Sequence, residues 1–151
     1  MDHVVYLDAK AKELDLLTTG KKSMIIRGAT GRKMPYGRVN EGDVLYFINN
    51  NAEGQVRAKA VVTNVFNSEK MTPEESTQLV ESNQNRLHLS PQQFKKWAGK
   101  RYIVLIEVGQ FEEISPFEID KSDYGNMDDW LPVEEIGTVK PDGTRSPDPS
   151  R

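Results

Sequence analysis

The sequence predicts an α+β domain in which a small mixed or antiparallel β-barrel is flanked by three helices. Three observations lead to it. Short apolar runs of strand character recur from Val4 to Val108; a hairpin signal, Asn49 to Gly54, stands in their midst; and two proline-marked helix starts precede the most apolar run, Tyr102 to Val108. Parallel crossovers would require a helix between successive strands, and the hairpin argues against that arrangement.

Val4 to Leu7 opens the chain as a short strand. Asp8 then stands where an N-cap would, ahead of Ala9 to Leu17, and Leu7, Ala11, Leu14 and Leu17 fall at helical spacing on one face. Gly20 is expected to end that first helix, because a glycine takes a positive φ without a side-chain clash. Ser23 to Arg27 is a buried strand. Gly28 to Val39, with three glycines, a proline and three cations, is a loop of a length that often carries function. Gly42-Asp43 turns the chain into the strand Val44 to Ile48. The returning strand, Val56 to Phe66, sets Val56, Ala58, Ala60 and Val62 on one side and Arg57, Lys59 and Val61 on the other, a period of two that marks a half-buried antiparallel strand.

Thr72-Pro-Glu-Glu75 and Ser90-Pro-Gln-Gln93 are capping boxes with proline at the first helical position, where a missing N–H is no loss. They begin the second and third helices, and the third stops at Gly99. Tyr102 to Val108 is the strongest strand, and Phe111 to Ile119 is a further extended piece interrupted at Pro116. Residues 1–136 form the expected domain. Residues 137–151, rich in proline, glycine, serine and charge with almost no apolar anchor, read as a disordered tail.

A chain of 151 residues suffices for one core without disulfides. With no cysteine, disulfides, thiolate catalysis and Cys-ligated zinc are excluded, and His3 and His88 alone do not make a histidine-rich metal site. Neither a cofactor nor a metal is expected. No apolar run approaches the roughly 20 residues of a membrane span, and the N-terminus lacks the pattern of a secretory signal, so no membrane role is expected and a cytoplasmic location is the default.

Charge distribution says more than the net charge of -3. Between Thr18 and Asn40 lie Lys21, Lys22, Arg27, Arg32, Lys33 and Arg38 with no Asp or Glu, whereas Glu112 to Glu135 holds nine acidic residues and only Lys121 as a cation. Such polarity steers a polyanion onto one face, or else both stretches are solvated surfaces. In Gly20-Lys-Lys-Ser-Met-Ile-Ile-Arg27, followed by Gly28-Ala-Thr-Gly-Arg-Lys33, cations and glycines surround a short apolar strand, as an anion site would require. The triphosphatase pattern is absent, since Gly31 precedes Arg32 and Pro35 breaks any helix.

The order Leu16-Leu-x-x-Gly-Lys-Lys-Ser-x-x-Ile-Arg27, then Gly42-Asp-Val-Leu-Tyr-Phe47, then Val56-Arg-Ala-Lys-Ala-Val-Val62 resembles the ASCH domain, a member of the PUA-like β-barrel group, over about residues 3 to 110. The resemblance implies a cleft beside the Gly-Lys-Lys-Ser strand that takes RNA or nucleotides. One subgroup of that family removes an acetyl group from modified cytidine with a lysine, a threonine and a glutamate. Lys22 matches the lysine, but Ile25 stands at the threonine position and Asn85 near the glutamate's. An isoleucine cannot attack a carbonyl and an amide is no general base.

The candidate binding residues are Lys21, Lys22, Ser23, Arg27, Arg32, Lys33, Tyr124 and Trp130; no catalytic residue is assigned, Lys22 being the one match to the hydrolase subgroup. Lys22 would contact a phosphate or carbonyl and Arg27 would clamp a phosphate through two nitrogens. Lys21 serves equally well as a cation offsetting a helix C-terminus. Tyr124 and Trp130 would enclose a base as aromatics do in PUA-like readers, or Trp130 packs the C-terminal segment onto the barrel. Lys95-Lys-Trp-Ala-Gly-Lys-Arg101 interleaves cations with an aromatic, as surfaces for single-stranded nucleic acid do, while Trp97 also suits a core.

Three functions follow: an RNA- or nucleotide-binding module, a nucleoside or RNA hydrolase (amidohydrolase or nuclease), or a sensor of a small anion. The hydrolase needs an acid or base near Lys22, for which Glu75, Glu81 and Asp43 are the candidates.

Overall fold

A computed structural model describes residues 1–119, 130–134 and 136. Six strands form one curled sheet: β1 (Asp2–Leu7), β2 (Met24–Ala29), β3 (Val44–Asn49), β4 (Gln55–Asn67), β5 (Tyr102–Glu118) and β6 (Trp130–Glu134), in the order β2-β5-β4-β3-β1-β6. All pairs are antiparallel except β1 with β3. The sheet is therefore mixed, and the α+β class with a PUA-like half-barrel is as expected.

The helices number four among the described residues, one more than expected: α1 (Glu13–Thr18), α2 (Pro73–Ser82), α3 (Gln84–Leu87) and α4 (Pro91–Trp97). The extra one, α3, is a single turn between the two capped helices. Both capping boxes form: Thr72 and Ser90 accept from the N–H of Glu75 and Gln93, whose side chains accept from Thr72 and Ser90 in return.

Two boundaries differ from expectation. The first helix begins at Glu13 rather than at Ala9, because Asp8 Oδ1 accepts from Ala11 N–H and holds residues 9–12 as a turn that ends at Lys12 with φ 55°. Pro116 does not interrupt the last long strand; β5 runs continuously through it. Its partner β4 slips register between Val56 and Ala58, between Lys59 and Val61, and between Val62 and Asn64. Each slip adds local twist, which is how a long two-strand ribbon curls. The expected tail, residues 137–151, and Tyr124 lie outside the described residues.

Strand alternation sorts the core into layers. Val5, Leu7, Ile25, Leu45, Phe47, Ala58, Ala60, Val62, Val104 and Ile106 fill the inside of the curl with Trp130. On the reverse face of β2 and β5, Met24, Ile26, Ile103 and Leu105 pack against Val80, Leu87, Leu89 and Trp97 of the helical segment. Val4, Ile48, Val56, Leu131 and Val133 form a third layer behind β1 and β3. A fully buried side chain of this kind contributes about 1.5–3 kcal/mol. Between the first two layers, at the rim of β2, the apolar packing gives way to charge. No described helix is long and apolar enough to cross a membrane.

Candidate functional site

Arg27 is the centre of the site. It follows Ile25 by two residues on the inner face of β2, yet carries a guanidinium where the layer would otherwise continue with an aliphatic side chain. The residue is only 6 % exposed. Its Nη1 donates to the Ile26 carbonyl at 2.7 Å and its Nη2 to the Tyr6 carbonyl at 2.6 Å. The guanidinium carbon lies 5.9 Å from the Trp97 ring centre and 5.6 Å from that of Trp130, so one cation touches an indole from the helical layer and another from the barrel interior.

Lys22 lies beneath this point and away from solvent. Its Nζ donates to the Leu87 carbonyl at 2.5 Å and sits 3.3 Å from Glu13 Oε2. Burial pushes the Lys22 ammonium below its ordinary pKa, Glu13 counters that, and the charge of Arg27 adds to the lowering. Glu13 is itself buried and accepts from Asp8 N–H at 2.8 Å. The acid beside Lys22 is thus Glu13, not one of the three expected candidates. Asp43 binds His3, Glu75 is committed to the α2 cap, and Glu81 is exposed.

A cleft of about 370 Å³ opens over Arg27, lined by Lys33, Met34, Lys96, Trp97 and Lys100, with Gly28 in its wall. A β-carbon at Gly28 would come within 3.1 Å of the Tyr102 carbonyl and 3.2 Å of Lys100 Cβ, so the close approach of β2 to the Lys100 segment favours glycine, a larger residue having to push these neighbours back. The volume lies in the range of small-molecule sites. Among the described residues four cations and no carboxylate line it. On the other side of the Arg27–Trp97 contact, a recess of about 60 Å³ is lined by Tyr6, Asp8, Glu13, Asn50 and Gln93 as well as by Arg27, Lys96 and Trp97.

The remaining expected residues disperse. Lys21 is exposed just past Gly20, and Ser23 is half-buried with its carbonyl accepting from Val108 N–H. Arg32 is exposed and lies over Tyr36 and Tyr102, at 5.7 and 5.5 Å. The basic loop is anchored rather than free along its length: Tyr36 donates its hydroxyl to the Ser68 carbonyl, Gly37 N–H donates to Asn67 Oδ1, and the Tyr36 and Tyr102 rings meet edge to face. Trp130 is 1 % exposed. Its Nε1 donates to His3 Nδ1 at 3.1 Å, and the other imidazole nitrogen meets Asp43 Oδ2 at 2.9 Å. It packs the barrel and reaches the site only through Arg27.

Sequence reasoning missed Glu13 and the site role of Lys96 and Lys100. For the two lysines the signal was present in the Lys95 to Arg101 segment. For Glu13 no local signal existed: the expected face of Leu7, Leu14 and Leu17 does pack on the core, and Glu13 is buried beside it through partners that only the fold supplies.

No protein-family model matches the sequence, and no curated protein does. Among solved structures, the chain is similar to ASCH from Zymomonas mobilis, with a TM-score of 0.62 and 17% identity over 88% of this chain and 89% of that one. The Y47F mutant of the same protein superposes with a TM-score of 0.66 at 15% identity, covering 91% and 93%. The N-terminal domain of Staphylothermus marinus McrB is more distant, at 0.52 and 12%, covering 87% of each chain. The curled sheet, the capped helices packed behind β2 and β5, and these end-to-end superpositions together give the chain the fold of an ASCH domain.

Proposed function

We propose that this ASCH-fold module binds RNA, or one nucleotide of it, in the cleft over Arg27. One observation carries the reading: Arg27, Lys33, Lys96 and Lys100 converge on a concave site beside Trp97, and among the described residues no carboxylate lines it. Phosphate is held by such cations through charge-assisted hydrogen bonds, and the edge of Trp97 gives a base an apolar neighbour. Lys22 supports the site from below, by holding Glu13 and α3, and does not meet the ligand.

The test is a titration of nucleoside monophosphates and short single-stranded RNAs, read by the fluorescence of Trp97 and Trp130, at low and moderate salt. Lys96→Ala/Lys100→Ala is the variant of choice, because Lys96 is exposed and neither side chain is held in the core. Affinity is expected to fall about tenfold in the variant and to weaken with salt. Equal binding by both proteins would remove the reading. Binding of a singly charged metabolite with almost no salt dependence would instead favour the anion sensor.

A second reading, hydrolysis of the bound nucleotide, is favoured by Glu13, whose carboxylate borders the recess beside Arg27 and lies against Lys22. It requires product formation by the wild type and none by Glu13→Gln at equal ligand occupancy.

A further inference from the structure

Next to the Arg27 cleft runs a larger groove of about 550 Å³, between the start of α2 and the end of α4. It shares Lys96 and Lys100 with the cleft and adds Lys70, Lys95 and Arg101. We infer that this groove carries the backbone of a single-stranded RNA whose nucleotide occupies the Arg27 cleft, so that the molecule reads a strand of several nucleotides and not a free mononucleotide. The inference rests on the nucleotide reading of the cleft and names its substrate class.

Charge is the first argument. The chain has 23 acidic residues against 20 Lys and Arg, so a random charged lining would be about half acidic. Among the described residues the charged lining of the two adjoining cavities is Arg27, Lys33, Lys70, Lys95, Lys96, Lys100 and Arg101, with no Asp or Glu. None of Lys70, Lys95, Lys96, Lys100 or Arg101 forms an ion pair among the described residues, although surface pairs such as Arg57–Glu53 and Arg86–Glu107 form elsewhere. The nearby acid Glu75 lines a different recess, and its carboxylate is engaged at the α2 cap, accepting from Thr72 N–H. Cations left side by side in this way repel one another, and a polyanion removes that repulsion.

Shape is the second. The cleft and groove are both concave and share Lys96 and Lys100 in their walls, and a base reaches Arg27 only when it is splayed from its neighbours; a duplex presents stacked, paired bases and offers none. The third is the field. The basic strip adjoins the start of β5 at Tyr102, while Glu107, Glu112, Glu113 and Glu118 follow along the same strand toward its other end. A strand of phosphates is thereby drawn to the α2–α4 end and repelled from the opposite one.

The experiment is a length series of single-stranded RNA, from one to about eight nucleotides, with wild type and Lys70→Ala/Arg101→Ala. Both side chains are exposed and line only the second groove, and the Arg101 carbonyl still accepts from Met71 N–H in the variant, so the fold is retained. Wild-type affinity is expected to rise at least tenfold from the mononucleotide to about four nucleotides. The variant is expected to bind the mononucleotide within twofold of wild type, to lose most of the gain with length, and to show a salt slope for the longer RNA smaller by about 1.4, at about 0.7 per lost phosphate contact. Mononucleotide binding without any gain in length would overturn this inference and leave the cleft's nucleotide reading standing. Failure of every RNA and nucleotide would end both. A matched duplex or poly-glutamate that competes as well as single-stranded RNA would also overturn it.

Discussion

Lys22 Nζ and Glu13 Oε2 lie 3.3 Å apart with both side chains withdrawn from water, and the lysine's other contact is the Leu87 carbonyl. The pair joins the end of the first loop, α1 and α3 under the rim of β2. Removing one charge strands the other in a medium that solvates it poorly, whereas removing both does not. Glu13→Ala is therefore expected to cost about 3–5 kcal/mol, and Glu13→Leu/Lys22→Met much less than the sum of its single substitutions. Urea unfolding of the four proteins measures this; additive losses would show that the two groups are not coupled.

Arg27 is expected to be intolerant even of lysine. An ammonium keeps the charge but cannot reach the Ile26 and Tyr6 carbonyls together while lying against two indoles. Arg27→Lys should lose about 1–2 kcal/mol of stability and weaken nucleotide binding about tenfold. The same fluorescence titration and urea series check both, and an unchanged affinity would place the ligand away from Arg27.

His3 makes stability depend on pH. Trp130 Nε1 can only donate, so His3 Nδ1 must accept and the proton sits on Nε2, facing Asp43. Burial, opposed by Asp43, holds the imidazole below its ordinary 6.5. The unfolded chain then takes up a proton that the folded one refuses, and stability falls as pH drops from about 6.5 until the folded His3 itself titrates. Asp43 adds a loss of the same sign at lower pH: burial raises its pKa, but the bonds from Asn40 N–H and His3 outweigh that and hold it below 3.8, so stability falls again as pH passes through 3.8 toward the folded value. Urea midpoints from about pH 7 to about pH 5 should decline in wild type and stay flatter in His3→Gln. Parallel profiles would assign the acid sensitivity to another group.

Ser90→Ala tests the scaffold without touching the cleft. It removes the acceptor of Gln93 N–H at the start of α4, the seven-residue helix that presents Lys96 and Trp97. A loss of about 1 kcal/mol is expected, with ligand affinity unchanged once the protein is folded. A loss of affinity at full folding would mean that the cap also sets the position of Trp97.

Local rules made much of the fold legible. The capping boxes at Thr72 and Ser90 and the alternation of Ala58, Ala60 and Val62 depend on contacts within a few residues, and each is present where the pattern puts it, whereas the register slip between Val56 and Ala58 moves Val56 to the layer of Ile48. The start of α1 was not legible. An Asp ahead of an Ala-Lys-Ala-Lys run fits a helix N-cap and an isolated turn equally well, and the choice fell to Glu13, whose carboxylate holds Asp8 N–H while facing Lys22. The parallel pairing of β1 with β3 was equally hidden, because it joins segments about forty residues apart with no local mark.

Taken alone, the sequence determined the α+β class and the gathering of cations around Arg27, which follow from periodicity, caps and charge counted along the chain, and its Leu16–Arg27, Gly42–Phe47 and Val56–Val62 motifs carried the resemblance to ASCH domains. Tertiary structure alone decided which of those cations face solvent. Lys21 and Lys22 are neighbours in sequence, yet one ends exposed and the other buried on Glu13, while Lys96 and Lys100, some seventy residues on, stand with Arg27 at one cleft. The reason is physical: a charge enters the interior only where partners meet it, here Glu13 just upstream and the Leu87 carbonyl from a distant segment, and that meeting is a property of the folded chain.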